Sequence, residues 1–367
     1  MAARFAHRIS RAQQMMVDQG LDLLLVTRRE NLIYFTGVTQ IECMSLIIPR
    51  RGEAFAVTLW LDRVFVERES GLRTYGYHFP CESLVGKTIE QIKTAGYTEP
   101  RIGFERYFVD FPVYDGLRSA FPERGFVGAA DIFYRLRSVK EPGEIELIRQ
   151  ASKTVCAGME AATRAVRPGV RELDVLAEAE YAMLKAGSGG SPFRPQVVSG
   201  ERSLLTHPTA SNKIIAAGEV VVIHLGATCE GYCSKICHTV AVGDIPVAQA
   251  EAYQILLEAQ GQALAALRPG ATAGEVDAAA RNVVARAGYE RSFLEHVGYG
   301  VGLRQSEFYP IIGKDRPEVI EAGMVVDLLL PTVYRSGVGG PRVTDVIHVG
   351  AERNEILTDF PRELIRL

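Results

Sequence analysis

The chain has 367 residues, with 41 Lys plus Arg against 44 Asp plus Glu, and 47% of its residues are hydrophobic. This length is enough for two compact domains, and the apolar share excludes disorder as the main state. A net charge of −3 gives no broad basic surface, so nucleic acid is not expected as a partner. No apolar run approaches the roughly 20 residues that cross a bilayer, so no membrane partner is expected either.

Six Cys are too few for a disulfide scaffold and fit a reducing compartment. The first residues are basic, but no apolar segment with a cleavage site follows them. We therefore expect a cytoplasmic protein.

Helical and strand-like segments alternate over residues 1–135, which predicts an α/β domain. Two β-rich runs flank a polar turn that contains Gly52, and this pattern is typical of a hairpin. The predicted helices cover residues 8–19, 30–35, 88–95 and 113–121. The predicted strands cover residues 21–26, 45–49, 54–59, 101–104 and 126–129.

A second domain is predicted over residues 136–367, with Pro142 at the start of a long helix. This domain contains an internal repeat, because Arg167-Pro168-Gly169 recurs 101 residues later as Arg268-Pro269-Gly270. Each copy is typical of a helix, a Pro-Gly turn, a second helix that ends at Gly, and β-rich sequence. Two such α+β halves would lie side by side with a cleft between their sheets.

A set of short motifs is spread along both predicted domains. The motifs are Asn31–Gly37, Lys140, Glu144-Ile145, Thr206–Pro208, Glu219–Ala227, Gly231-Tyr232, Gly298–Gly302, Gly323–Val326 and Gly339–Arg342. Together they resemble the pita-bread family (peptidase M24), which holds methionine aminopeptidase, aminopeptidase P, prolidase and creatinase. The resemblance implies an α+β fold, with a pita-bread C-terminal domain that follows a smaller creatinase-type N-terminal domain.

Metallopeptidases of this family hold two divalent ions with two Asp, one His and two Glu, since hard ions prefer such donors and activate water. By resemblance, none of the five positions keeps its ligand. The residues there are His224, Lys235, Tyr299, Leu329 (or Leu330 if the register slips by one) and Thr344. An ammonium at Lys235 would repel a dication. We therefore expect no metal and no other cofactor.

The cleft retains polar groups, because alternate strand residues share a face and Lys235 therefore faces the same way as Cys237. The family's pairing places His224 opposite Lys235. His207 matches the acid–base His of creatinase, a member that hydrolyses a carbon–nitrogen bond without metal. The creatinase carboxylates fall at Cys237 and Val343, so creatine itself is not the expected substrate. The predicted catalytic residues are His207, His224, Lys235, Cys237 and Tyr299.

In the hypothetical mechanism, a neutral His takes a proton from water or from Cys237, while Lys235 and Tyr299 stabilise developing negative charge. Cys237 is either a thiolate nucleophile with a pKa lowered by Lys235 or a buried packing residue. We expect the Lys235 ammonium to meet a substrate anion, solvent, or a carboxylate such as Glu307 or Asp345, because an unpaired buried ammonium is costly.

Three Arg are candidates for paired hydrogen bonds to a substrate carboxylate, although structural ion pairs are an alternative role for them. The predicted substrate-binding residues are Arg194, Arg304, Glu307, Arg342 and Thr344. A site formed by Cys229, Cys233 and Cys237 is not expected, because four strand residues span about 13 Å. A single zinc on His207, His224 and Cys237 is chemically acceptable, but Lys235 argues against it.

The expected function is metal-independent hydrolysis or elimination at a non-peptide carbon–nitrogen bond of a small amide, amidine or ureido metabolite. Ectoine hydrolase, a second metal-free relative, supports this class of substrate. One alternative is a catalytically silent pita-bread protein that binds a ligand or peptide. Another is an Xaa-Pro-type metallopeptidase with altered ligands. The family resemblance also implies a homodimer.

Overall fold

The computed structural model describes residues 4–40, 43–105, 110–122, 125–294, 296–329 and 333–367. The chain divides into two compact units, residues 1–137 and 138–367. None of the helices in these described ranges is both long and apolar enough to cross a membrane.

The N-terminal unit is built on a six-stranded mixed sheet with the strand order β4-β3-β2-β1-β5-β6. Its strands are β1 (Leu23–Val26), β2 (Met44–Pro49), β3 (Phe55–Leu59), β4 (Arg73–Tyr77), β5 (Ile102–Phe104) and β6 (Phe126–Gly128). Its helices are α1 (Ala6–Asp18), α2 (Arg29–Thr36), α3 (Arg63–Ser70), α4 (Leu84–Thr94), α5 (Phe111–Ala120) and α6 (Ala130–Ser138). The predicted hairpin is present as the antiparallel pair β2–β3, and α2 ends at Gly37 with a φ of 72°.

The first half of the C-terminal unit packs two helices on a four-stranded sheet. The helices are α7 (Pro142–Ala165) and α8 (Glu172–Lys185). The strands are β7 (Gln196–Ser199), β8 (Val220–Cys229), β9 (Tyr232–Ala241) and, from the C-terminus, β15 (Ile365–Arg366), in the order β15-β9-β8-β7. Apolar residues of α7 such as Val155 and Met159 form one buried cluster with Ile223 and Ile236 of the sheet.

The second half repeats this arrangement with a five-stranded sheet. The helices are α9 (Val247–Ala266) and α10 (Ala273–Arg286). The strands are β10 (His296–Gly300), β11 (Glu307–Gly313), β12 (Val325–Leu328), β13 (Asp345–His348) and β14 (Glu355–Ile356), in the order β11-β10-β12-β13-β14. Leu256, Val276 and Val326 belong to the apolar core of this half.

Equivalent hydrogen bonds in the two Pro-Gly turns show that the internal repeat is structural. Gly169 and Gly270 both have positive φ, 90° and 87°. Gly169 donates its backbone N–H to the Ile215 carbonyl, and Gly270 donates to the Ile320 carbonyl, both at 2.9 Å. The repeat inferred from the sequence is therefore confirmed as two α+β halves.

The two sheets meet where β9 lies against the segment that leads into β13. The Cys237 N–H donates to the Thr344 carbonyl at 3.1 Å, and the Thr344 N–H donates to the Cys237 carbonyl at 2.7 Å. Side chains of both halves therefore meet at this junction.

Candidate functional site

The β8–β9 hairpin carries three of the predicted catalytic residues. Its register pairs His224 with Cys237 and Gly226 with Lys235. The expected pairing of His224 with Lys235 is therefore wrong by two residues, although all three side chains still belong to one face of the hairpin.

Lys235 forms a salt bridge with Asp327 of β12, and both side chains are fully buried. The Lys235 ammonium also donates to the Ser306 hydroxyl at 3.1 Å and approaches Oε1 of Gln305 at 3.5 Å. Burial raises the pKa of the Asp327 carboxyl, and the nearby Lys235 ammonium opposes that shift. Lys235 therefore has a carboxylate partner, one of the expected kinds, but the partner is Asp327 and neither of the two named examples, Glu307 and Asp345.

Tyr299 is held beside this ion pair by its backbone and by its hydroxyl. Its N–H donates to Oδ1 of Asp327 at 2.7 Å, and its hydroxyl makes a 2.8 Å hydrogen bond with Nε2 of His296. The preceding Gly298 lets β10 approach β12 closely, because an added Cβ would collide with the Asp327 carbonyl oxygen. Burial raises the pKa of the Tyr299 phenol, and the Asp327 charge adds to that shift.

His224 presents a neutral imidazole at the floor of the cleft. Its ring packs on Phe193 with 4.5 Å between the ring centroids, and its buried Nε2 has no hydrogen-bond partner among the described residues. Burial lowers its pKa well below the ordinary value, and Lys235 and Arg342 lower it further. The ring is therefore uncharged at neutral pH, and its Nε2 can donate or accept a hydrogen bond, depending on the tautomer.

A cavity of about 710 Å³ opens at this junction, a size that suits a small-molecule ligand. Seven of the predicted site residues line it: Arg194, His207, His224, Cys237, Tyr299, Arg304 and Arg342. Lys235 reaches the wall through Gln305 and Ser306, which also line the cavity.

Arg342 is a buried guanidinium, 4% exposed, that the described residues satisfy only in part. Its Nη1 donates to Oε1 of Gln196 and its Nη2 to the Leu205 carbonyl, each at 2.7 Å. Its buried Nε has no hydrogen-bond partner in the described part of the chain. No ion pair joins Arg342 to a described carboxylate, whereas buried charges in proteins are normally paired.

Cys237 is buried and its thiol is protonated. Burial raises the pKa of this thiol to about 12, because the loss of water outweighs the opposing effects of Arg342 and Lys235. The hypothesis of a thiolate activated by Lys235 is therefore wrong, since desolvation exceeds the attraction to both cations.

Glu307 and Thr344 are buried behind the cavity wall and do not line it. Glu307 accepts the Arg304 N–H at 3.3 Å, and the Thr344 hydroxyl donates to the Leu329 carbonyl at 3.0 Å. Their expected direct contact with substrate therefore lacks a geometric basis. Leu329 is fully buried, and the alternative position Leu330 lies outside the described residues.

Sequence reasoning missed several residues that shape this site. Asp327 is a single carboxylate within an apolar run, and this pattern could have marked it as a buried, functional acid. His296 lies three residues before Tyr299 and just outside the Gly298–Gly302 motif. Its hydrogen bond with the Tyr299 hydroxyl becomes evident only from the geometry of strand β10. The other missed residues that line the cavity are Phe193, Gln196, Leu294, Gln305, Ser306, Phe308 and Tyr334.

Comparison with known families identifies both units. Residues 146–351 match the model of metallopeptidase family M24, and residues 8–139 match that of the creatinase/prolidase N-terminal domain. The chain belongs to metallopeptidase family M24. The predicted architecture, a creatinase-type N-terminal domain followed by a pita-bread domain, is thereby confirmed.

Several of the similar proteins are named as Xaa-Pro dipeptidases or prolidases. The chain is 30% identical to the Xaa-Pro dipeptidase of Pyrococcus horikoshii over 98% of both chains. A solved Xaa-Pro dipeptidase from Bacillus anthracis superimposes with a TM-score of 0.91 at 30% identity, covering 99% of each chain. A prolidase structure from Pyrococcus horikoshii OT3 gives a TM-score of 0.89 at 29% identity, covering 98% of this chain and all of the other.

These relatives overturn the predicted function. A creatinase-like, metal-independent hydrolase of non-peptide carbon–nitrogen bonds is wrong as a description of this chain, because its full-length relatives are named as dipeptidases of a metallopeptidase family. The resemblance to the M24 family holds, but its assignment to a metal-deficient, creatinase-like subtype is not supported.

A metallopeptidase family implies divalent ions, and the side chains at this junction do not fit them. Among the described residues, no three His, Cys, Asp or Glu side chains lie close enough together to hold a metal ion. The Asp327 carboxylate, which lies at this junction beside Tyr299, is paired with the Lys235 ammonium. A cation at the centre opposes a dication there and leaves it too few oxygen donors.

Proposed function

We propose that the cleft of the C-terminal unit recognises Xaa-Pro-type dipeptides, with the ligand carboxylate on Arg342. The relatives support the class of ligand, since several that match almost the whole chain are named Xaa-Pro dipeptidases. The observation that carries the proposal is the buried, unpaired guanidinium of Arg342 in the cavity wall.

The Nε–H of Arg342 supplies a charge-assisted hydrogen bond to a carboxylate oxygen. Because its two Nη atoms are held by Gln196 and Leu205, the guanidinium is fixed in direction before a ligand arrives. A fixed donor loses little conformational entropy on binding. A carboxylate at this point would also neutralise a charge that is otherwise buried without a counter-ion.

Two uncharged groups are available to the rest of the dipeptide. The neutral His224 offers its unpartnered Nε2 for a hydrogen bond to the peptide group. The Phe193 ring beside it and the Tyr334 ring on the cavity wall offer apolar surface for a proline ring. His207 is exposed at the mouth of the cavity and is proposed as a further polar contact.

Hydrolysis of the same dipeptide, by a peptidase with altered ligands, is the second candidate function. The names of the relatives favour it, whereas the side chains around Lys235 supply few donors for a metal ion. Both candidates require that the dipeptide binds in this cleft.

Titration calorimetry with Ala-Pro and with Ala-Pro amide tests recognition, because the amide removes only the carboxylate charge. We expect Ala-Pro to bind and its amide to bind at least tenfold more weakly, which corresponds to about 1.4 kcal/mol. Equal affinities, or no binding of Ala-Pro, would overturn the proposal.

Release of free proline from Ala-Pro, measured with and without added Mn²⁺, Co²⁺ or Zn²⁺, separates the two candidates. Binding without proline release under every condition supports recognition alone. Proline release that saturates with added metal supports the altered-ligand peptidase.

We further propose a cytoplasmic homodimer. The free state of all six Cys supports a reducing compartment, and the dimer rests on the family resemblance. Light scattering on the purified protein checks the dimer, which has twice the 40.2 kDa mass of the chain.

A further inference from the structure

Two side-chain contacts mark two separate points on the wall of the cavity. At one point, Arg342 donates to Oε1 of Gln196, which belongs to β7 at the edge of its sheet. At the other, Lys235 of β9 donates to the hydroxyl of Ser306, a residue that lines the cavity from the second half of the unit. The strands between these points allow their separation to be estimated.

The register of β7, β8 and β9 gives that separation. Gln196 pairs with His224, and His224 pairs with Cys237, so these three side chains form one row across a single face of the sheet. Lys235 lies on the same face, two residues from Cys237 along β9. Because adjacent strands lie about 4.8 Å apart and each residue rises about 3.4 Å, the backbones of Gln196 and Lys235 are roughly 12 Å apart.

A dipeptide is shorter than this separation. Two fully extended residues span at most about 7 Å, whereas three span about 10 to 11 Å. A dipeptide whose carboxylate lies on Arg342 therefore ends short of Ser306. A third residue at the N-terminus of the ligand brings it to this part of the wall.

The wall beside Ser306 carries an aromatic ring. Phe308 lines the cavity two residues after Ser306, and the Arg304 guanidinium lies 4.7 Å from its ring centroid. The Phe308 side chain is 38% exposed, whereas Phe193 on the opposite side packs its ring on His224. An apolar side chain that covers the Phe308 ring removes apolar surface of both partners from water.

We propose that the cleft selects tripeptides that end in proline and begin with an apolar residue, whose side chain lies on the Phe308 ring. This inference rests on the proposed recognition of the Xaa-Pro unit by Arg342 and extends the ligand by one residue at its N-terminus. The cavity volume of about 710 Å³ suits a ligand of this size. Several relatives are named for dipeptides, so this preference distinguishes the chain from them.

Calorimetric titration with Ala-Pro, Gly-Ala-Pro and Leu-Ala-Pro tests the inference. Each ligand carries one α-ammonium and one C-terminal carboxylate, so their net charges are equal. We expect Leu-Ala-Pro to bind roughly tenfold more tightly than Ala-Pro, because its Leu side chain is buried against the Phe308 ring. Gly-Ala-Pro should lie between them, since it has the added length without the side chain.

Phe308→Ala should lower the ratio of Leu-Ala-Pro affinity to Ala-Pro affinity by roughly threefold or more, because it removes apolar contact surface. Phe308→Leu retains an apolar side chain there and should restore most of the ratio. Phe111→Ala is the matched control, since it removes an exposed ring of α5 that does not line the cavity. The ratio should stay unchanged in this control.

The outcomes separate the inference from the function on which it rests. If Leu-Ala-Pro and Ala-Pro bind equally well, the tripeptide preference is overturned and recognition of Xaa-Pro dipeptides stands. A ratio that falls equally in Phe111→Ala also overturns the preference, because the effect would not arise at the cavity wall. If none of the three peptides binds, both proposals fail.

Discussion

The ion pair between Lys235 and Asp327 dominates the centre of the site at the scale of single residues. Both side chains are completely buried, so each charge depends on the other for compensation. Replacement of one member leaves an isolated charge in the core. Replacement of both by apolar side chains of similar volume leaves no buried charge.

We predict that Lys235→Met and Asp327→Leu each lower the free energy of unfolding by about 3 to 5 kcal/mol. The double variant should lose clearly less than the sum of the two, and urea denaturation measures all three. The exposed pair Arg164–Glu160 is the control, and Arg164→Met should leave stability unchanged within error. If the loss of unfolding free energy in the double variant equals the sum of the losses in the two single variants, the account is contradicted.

Cys237 should be inert toward alkylation in the folded protein. Its pKa is raised to about 12 by burial, so at pH 7.5 the reactive thiolate is almost absent, and its fraction would grow only as the pH rises toward that value. Cys43 and Cys81 are exposed. Mass spectrometry after iodoacetamide treatment should find label on those two and none on Cys237.

In urea, Cys237 should be labelled like the others, because an unfolded thiol has a pKa of about 8.5. Rapid native labelling of Cys237 would contradict the buried, protonated assignment.

The need of Lys235 for a counter-charge could be predicted from sequence, but the identity of its partner could not. A buried ammonium without a counter-charge costs several kcal/mol of free energy, so some partner could be expected. The choice of Asp327 depends on how β12 lies beside β10, a contact that Gly298 permits. The sequence around Lys235 does not reveal this partner, because Asp327 lies 92 residues further along the chain.

The register of the β8–β9 hairpin is the corresponding lesson at the scale of an element. Glu230 and Gly231 form a two-residue turn with positive φ at both positions, 47° and 82°, as in the type I′ turns that are common in two-residue hairpins. Such a turn pairs Cys229 with Tyr232, and the same count back along both strands pairs His224 with Cys237. The turn chemistry could therefore have given the register that the family pairing missed.

Close packing of β10 on β12 yields a prediction at the same scale. Gly298→Ala places a methyl group against the Asp327 carbonyl, so we expect a loss of about 1 to 3 kcal/mol in unfolding free energy. Gly261→Ala is the matched control, because it lies in α9 with open space around it. There, alanine should stabilise the protein by about 1 kcal/mol.

Urea denaturation of both glycine variants provides the measurement. A neutral effect of Gly298→Ala would show that β10 and β12 are not in close contact.

At the scale of the whole molecule, the repeat predicted the architecture more securely than the residues predicted the reaction. The Pro-Gly turns recur because each half must turn its helix pair back onto its own sheet, and both turns make the same hydrogen bonds. Function depends on side chains that the two halves do not share, such as Lys235 and Arg342. A shared fold therefore fixed where the site lies and left its chemistry to be determined.

The most direct test of the central claim is a crystal structure of the protein with bound Ala-Pro. The account predicts dipeptide density in the cavity, with a carboxylate oxygen within hydrogen-bond distance of Nε of Arg342 and the Lys235–Asp327 pair intact behind it. A dipeptide whose carboxylate lies away from Arg342, or one that separates Lys235 from Asp327, would contradict the account.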